Sequence, residues 1–141
     1  MNTSKILFSL CAMSVTFLAD AATNFKIATI SPDGSSWMKL LREGGRSVER
    51  ATDGRVKFKF YPGGVKGDDQ TVLKLMRVGQ LHGGIVTTGV FNQIYPDVQV
   101  YNLPMHFRSP QEIDQVRVML DPELMRGLES AGFVCFGIAE V

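Results

Sequence analysis

One stretch, Asp53 to Gly89, constrains the fold of this chain more than any other: DGRVKFKFYPGGVKGDDQTVLKLMRVGQLHGGIVTTG. Val56, Phe58 and Phe60 alternate with Lys57 and Lys59, the period of a strand with one buried face. Pro62, Gly63 and Gly64 then stop the strand, because proline brings no ladder donor and glycine favours turns. Asp68 and Asp69 are both able to cap a helix, and Val72, Leu75 and Met76 follow at helical spacing until Gly79. Gly83 to Thr88 (GGIVTT) reads as a short buried strand. Strand, helix and strand within about thirty residues make a right-handed βαβ unit of a parallel sheet. The expected class is α/β.

The neighbours of this unit extend the pattern. Phe25 to Ile30 (FKIATI) is predicted to be the first strand, and Pro32-Asp33-Gly34 turns the chain. Ser35 or Ser36 caps the next helix, whose apolar face is read as Trp37, Leu40, Leu41, Gly44 and Val48. Beyond Gly89 the pattern loosens: a helical turn is read over 90–95, and an extended or irregular segment over 98–103. Ser109-Pro110-Gln111-Glu112 starts a helix, with a serine cap, proline at the first position and a capping-box glutamate. Asp121-Pro122 repeats the signal and predicts a second helix ending at Gly132, followed by an apolar strand, Phe133 to Ala139 (FVCFGIA).

The first 21 residues stand apart. Lys5 precedes an apolar run, Ile6 to Leu18, that is too short to span a bilayer. Ala19-Asp20-Ala21 places small residues at −3 and −1, so a signal peptide cleaved after Ala21 is expected, with export to the periplasm. Cys11 does not read as a lipidation site, because Leu10 is too bulky before it. Residues 22–141 amount to one domain with a modest core. Net charge is +1 over the whole chain, and no basic stripe with interleaved aromatics occurs, so nucleic acid is excluded as the expected partner. Of the two cysteines only Cys135 follows the leader, which rules out an internal disulfide after cleavage.

In a parallel sheet, ligands bind beyond the carboxyl ends of the strands. All three strands end in small, donor-rich stretches: 31–36 (SPDGSS), Pro62-Gly63-Gly64 and Thr87-Thr88-Gly89. Amides at the start of the first helix, aided by its dipole, are suited to hold a carboxylate. The candidate ligand-binding residues are therefore Ser35, Ser36, Trp37, Gly64, Thr87 and Thr88. Each has a plainer reading beside it. The serines cap a helix, the glycines turn the chain, and Trp37 packs in the core. His82 sits at the opposite end of the third strand and reads as structural, and Cys135 reads as a buried thiol. Arg108 pairs with Glu112 one turn on, in preference to a ligand carboxylate. No catalytic residue, metal site or cofactor is expected, because two histidines and one mature cysteine offer no nucleophile or ligand set.

The segments PDGSSW, ATDGRVKFKFYPGGVKGDD, MRVGQLHGG and LPMHFRSPQE, met in this order, resemble the solute-binding proteins of tripartite ATP-independent periplasmic (TRAP) transporters. The resemblance implies one lobe of a periplasmic binding protein-like (type II) fold, a mostly parallel sheet flanked by helices. It also implies capture of a small organic acid and its delivery to a pair of membrane permease subunits, without chemical turnover. Matches are confined to the amino-terminal lobe of such a two-lobed protein, and the family's carboxylate-pairing arginine, which belongs to the second lobe, has no counterpart here. The alternatives are a truncated product that binds nothing usefully, and an exported enzyme on the same scaffold.

Overall fold

A computed structural model describes residues 22–139. The leader and its cleavage site lie outside the described residues.

Three strands and two helices alternate first: β1 (Thr23–Thr29), α1 (Ser36–Ala51), β2 (Val56–Tyr61), α2 (Asp69–Arg77) and β3 (Gly83–Ile85). Two 3-10 segments follow, Thr88–Phe91 and Pro96–Asn102, and then a long helix, α3 (Pro110–Ser130). The sheet order is β2-β1-β3 and both pairings are parallel, with Phe25 opposite Phe58 and Ile27 opposite Gly83. The central strand is thus the first in sequence, and α2 carries the chain across it to the far edge. This is the α/β architecture that the alternation in 53–89 implies.

Side-chain alternation along β2 explains its pairing. Phe58 and Phe60 stack with centroids 6.1 Å apart, Phe58 stacks on Phe25 of β1, and Lys57 and Lys59 point outward. Ala28, Val72 and Leu81 form the innermost cluster, joined by the partly buried Tyr61, Leu75, Met76 and Val86. The approach of α2 to the sheet requires Gly84, where a Cβ would stand 2.6 Å from Val72.

Three expectations are corrected. The buried face of α1 is one residue out of phase with the predicted one: Met38 is fully buried and Gly45 lies against Phe58 and Phe60, whereas Trp37, Leu40 and Val48 are exposed. The sheet takes the Met38 side, so Trp37 is not a core residue. The two predicted helices of 110–132 are one, with Pro122 inside it. Asp121 caps nothing there, because its carboxylate is held by Tyr101 at 2.6 Å and by Arg117 at 3.1 Å. Finally, the segment from Phe133 to Ala139 is not a strand among the described residues. A strand needs a ladder partner; here Arg117 instead reaches the Ile138 carbonyl. A smaller difference is that the segment read as extended or irregular, 98–103, is largely the second 3-10 turn.

Candidate functional site

The carboxyl ends of the three strands form one rim. Beyond β2, Gly63 donates its amide to the Ser31 carbonyl at 2.8 Å and Gly64 to the Thr29 carbonyl at 3.1 Å, which ties this turn to the end of β1. Gly63 and Gly64 adopt positive φ, +65° and +71°, which lets two successive amides turn back on the neighbouring strand. Thr29, 1% exposed, accepts the Ser31 amide on its side-chain oxygen. The rim therefore rests on the buried core, and its β1–β2 side is fixed by backbone bonds.

Ser35 caps α1: its Oγ accepts the Met38 amide at 3.3 Å and its carbonyl accepts the Lys39 amide. Its hydroxyl proton is left available as a donor. Among the described residues no acceptor meets the amides of Ser36 and Trp37, the first two of a 16-residue helix. Trp37 projects from this first turn, 41% exposed. Asp33 lies beside the turn, and its 2.6 Å pair with Arg42 holds its carboxyl below the usual range.

At the end of β3 the regular strand stops at Ile85, earlier than the sequence predicts, and Thr87 precedes the first 3-10 turn. Thr87 is bound to α2 rather than free. Its amide and its hydroxyl both donate to Asp69 Oδ2, at 2.9 and 2.8 Å. Thr88 Oγ1 accepts from Asn102 Nδ2 at 2.9 Å. Asp68, not Asp69, caps α2, accepting the Thr71 amide at 2.8 Å; that hydrogen bonding lowers its carboxyl below the ordinary value.

The six sequence candidates are thus distributed unevenly. Ser35, Ser36 and Trp37 share one helix start, and Thr87 and Thr88 share the end of β3. Gly64 lies between them in the chain but its amide is spent on Thr29. Asp69 was missed as a member of this rim; it lies eighteen positions from Thr87, and the stretch between carries no pattern that would announce the pair. A cavity of about 350 Å³ lies between α1 and β2, lined by Arg42, Arg46, Phe58 and Phe60, and none of the six candidates lines it. A second cavity, of about 400 Å³, is lined by Asp114, Arg117, Val118, Asp121 and Pro122, and it too includes none of the candidates. Arg108 does not use its guanidinium on Glu112; Glu112 accepts the Arg108 backbone amide at 2.8 Å while Ser109 caps α3. No group of three or more histidine, cysteine, aspartate or glutamate side chains suited to a metal occurs among the described residues.

A family model described as bacterial extracellular solute-binding protein, family 7, matches residues 27–140. A solute-binding protein of Chromohalobacter salexigens is 32% identical over 109 residues, covering 77% of this chain and 31% of its own length. A TRAP periplasmic solute-binding protein of Pseudomonas putida F1, solved with bound D-glucuronate, superposes with a TM-score of 0.69 at 26% identity, covering 76% of this chain and 35% of that one. Another from Sulfitobacter sp. NAS-14.1 superposes with a TM-score of 0.74 at 22% identity, covering 82% and 39%. The chain spans about a third of the length of the curated relatives it matches.

Proposed function

This chain belongs to family 7 of the bacterial extracellular solute-binding proteins, and from that membership we propose that it supplies the amino-terminal lobe of a two-lobed periplasmic protein that captures a small organic acid for TRAP-type import. The observation that carries the reading is the rim itself. It gathers the open amides of α1, the Ser35 hydroxyl and the Thr88 hydroxyl at the carboxyl ends of a parallel sheet. Donors with a helix dipole behind them favour a carboxylate. The P. putida relative holds D-glucuronate, itself a carboxylate, which supports an organic anion as the solute.

On this reading the chain captures and releases, and performs no chemistry. Its partners are the small organic anion and the membrane permease subunits of a TRAP transporter, and its compartment is the periplasm, reached through a leader cleaved after Ala21. Residues 22–141 make the lobe. Ser35, Ser36, Trp37, Thr87 and Thr88 line its wall of the cleft, while Gly64 shapes the turn.

Calorimetric titration of the complete two-lobed protein with a panel of carboxylates, including D-glucuronate and succinate, is expected to show binding of at least one, with the solute recovered unchanged. Turnover of the bound solute would overturn the reading.

A second reading is favoured by one observation: Trp37, Leu40, Val134 and Phe136 are exposed apolar groups on this lobe, at 41%, 65%, 68% and 96%. Those exposed groups support the reading that the lobe is one wall of a cleft and, taken alone, holds solute only weakly.

A further inference from the structure

We infer that Asp69 and Thr87 give one end of the rim an acceptor-only face that selects hydroxylated organic anions over plain carboxylates; the inference rests on the anion-binding reading above. A threonine side chain has one proton to give and two lone pairs to offer. The Thr87 proton goes to Asp69 Oδ2, and so does the Thr87 amide. The same oxygen accepts the amide, so the direction of the hydroxyl bond is fixed: the carboxylate accepts and Thr87 donates. Thr87 is exposed, yet it has no donor left. What it presents outward is acceptor capacity.

The charge behind it reinforces this. Asp69 is 9% exposed, none of the ion pairs among the described residues includes it, and its second oxygen, Oδ1, is buried without a hydrogen-bond partner. A carboxylate brought to Thr87 meets a like charge one hydrogen bond away, whereas a ligand O–H meets a lone pair with negative charge behind it. The other groups of the rim have the opposite character. Ser35 Oγ and Thr88 Oγ1 each accept a bond from within the protein and keep a proton to donate. The rim thus offers donors at the start of α1 and at Thr88, suited to a carboxylate, and an acceptor at Thr87, suited to a hydroxyl. A polyhydroxylated acid satisfies both.

Asp69 is a positioning residue in this scheme, since it is sealed from solvent and acts through the hydroxyl orientation of Thr87. An asparagine there removes the charge and keeps the bond direction. Its carbonyl, in the place of Oδ2, accepts both the Thr87 amide and the Thr87 hydroxyl, so the threonine proton stays inward.

The test is an NMR titration of the full chain with D-erythronate and with butanoate, which share a four-carbon skeleton and a carboxylate. Wild type is expected to favour erythronate by about tenfold, the worth of one hydrogen bond. Thr87→Val is expected to reduce that ratio toward one, and Asp69→Asn, which keeps the hydroxyl direction but removes the charge behind it, to reduce it part of the way. A merely structural role for Asp69 would weaken both anions alike and leave the ratio unmoved. An unmoved ratio, or equal wild-type binding of the two, overturns the inference while the anion-binding reading stands. Binding of neither overturns that reading and the inference with it.

Discussion

The imidazole of His82 takes the place of a strand carbonyl: the Lys26 amide donates to His82 Nδ1 at 3.1 Å, and the His82 amide donates to the Lys26 carbonyl at 2.9 Å. The β1–β3 ladder begins at the next residue pair, Ile27 and Gly83. The side chain therefore extends the sheet by one bridge at the end away from the rim. Phe25 meets the ring edge-on with centroids 5.6 Å apart. This fits the structural role read from the sequence.

Removing that acceptor has a modest expected effect, because the bond is exposed and water can replace it. His82→Ala is expected to lower stability by about 0.5–1 kcal/mol, seen as a lower urea midpoint at constant m-value. His82→Asn, whose carbonyl reaches the same position, is expected to recover most of the loss. Equal losses in the two variants would show that ring packing on Phe25, and not the bond, matters.

Two helical glycines are predicted to respond in opposite ways to alanine. Gly44 faces open solvent on α1, with nothing within 4 Å of an added Cβ, so Gly44→Ala is expected to stabilise by about 0.5–1 kcal/mol through helix propensity. Gly127 on α3 is where the ring of Tyr95 crosses the helix, and an added Cβ would overlap that ring. Gly127→Ala gains the same propensity but forces Tyr95 out, for an expected net loss of about 1–3 kcal/mol. Thermal melts of the two variants decide this, and a stabilised Gly127→Ala would show that Tyr95 moves freely.

What could be read in the sequence was local. The Lys/Phe alternation of β2, the caps Ser35, Asp68 and Ser109, and the glycine stops all act within a few residues, and all are present. The failures depend on partners far away. The phase of α1 could not be chosen because both Trp37-Leu40-Val48 and Met38-Leu41-Gly45 are coherent stripes, and only the sheet decides between them. Asp121-Pro122 carries a genuine start signal, but Tyr101 and Arg117 occupy the carboxylate that would cap. An apolar run such as Phe133 to Ala139 specifies burial and not a ladder. At the rim, the donor-rich loops were legible, but whether a donor is free was not: Thr87 lost both of its donors to a residue eighteen positions away.

Tyr101 carries a pH prediction. Burial, with the hydrogen bond to Asp121 next, raises its phenol well above the ordinary value of 10.0. The folded chain thus holds this proton more tightly than the unfolded chain. Its contribution is fully present below about pH 10, the unfolded value, and is lost as pH rises toward the folded one. Alkaline difference spectroscopy is expected to show one tyrosine ionising only with unfolding. Tyr101→Phe abolishes that step and lowers stability near neutrality by about 1–2 kcal/mol, since Asp121 keeps only Arg117. A Tyr101 that titrates normally in the folded protein would contradict this.

The last prediction concerns the chain on its own. On the two-lobed reading proposed above, a closed cleft buries most of a small solute and the rim supplies one of its walls. For the chain tested by itself, losing two charged hydrogen bonds from the other wall, at roughly 1.5–3 kcal/mol each, weakens binding by about two to four powers of ten. Exposed Leu40 and Phe136 at the same time leave apolar surface available for association. The isolated chain is therefore expected to bind D-glucuronate in the millimolar range at best and to self-associate with rising concentration. Sedimentation velocity measures the association, and Leu40→Ser with Phe136→Ser is expected to reduce it without lowering the melting temperature, because neither side chain lies in the core. A monodisperse wild-type chain with micromolar affinity would mean that one wall suffices, and that the solute is held somewhere other than the rim between α1 and β3.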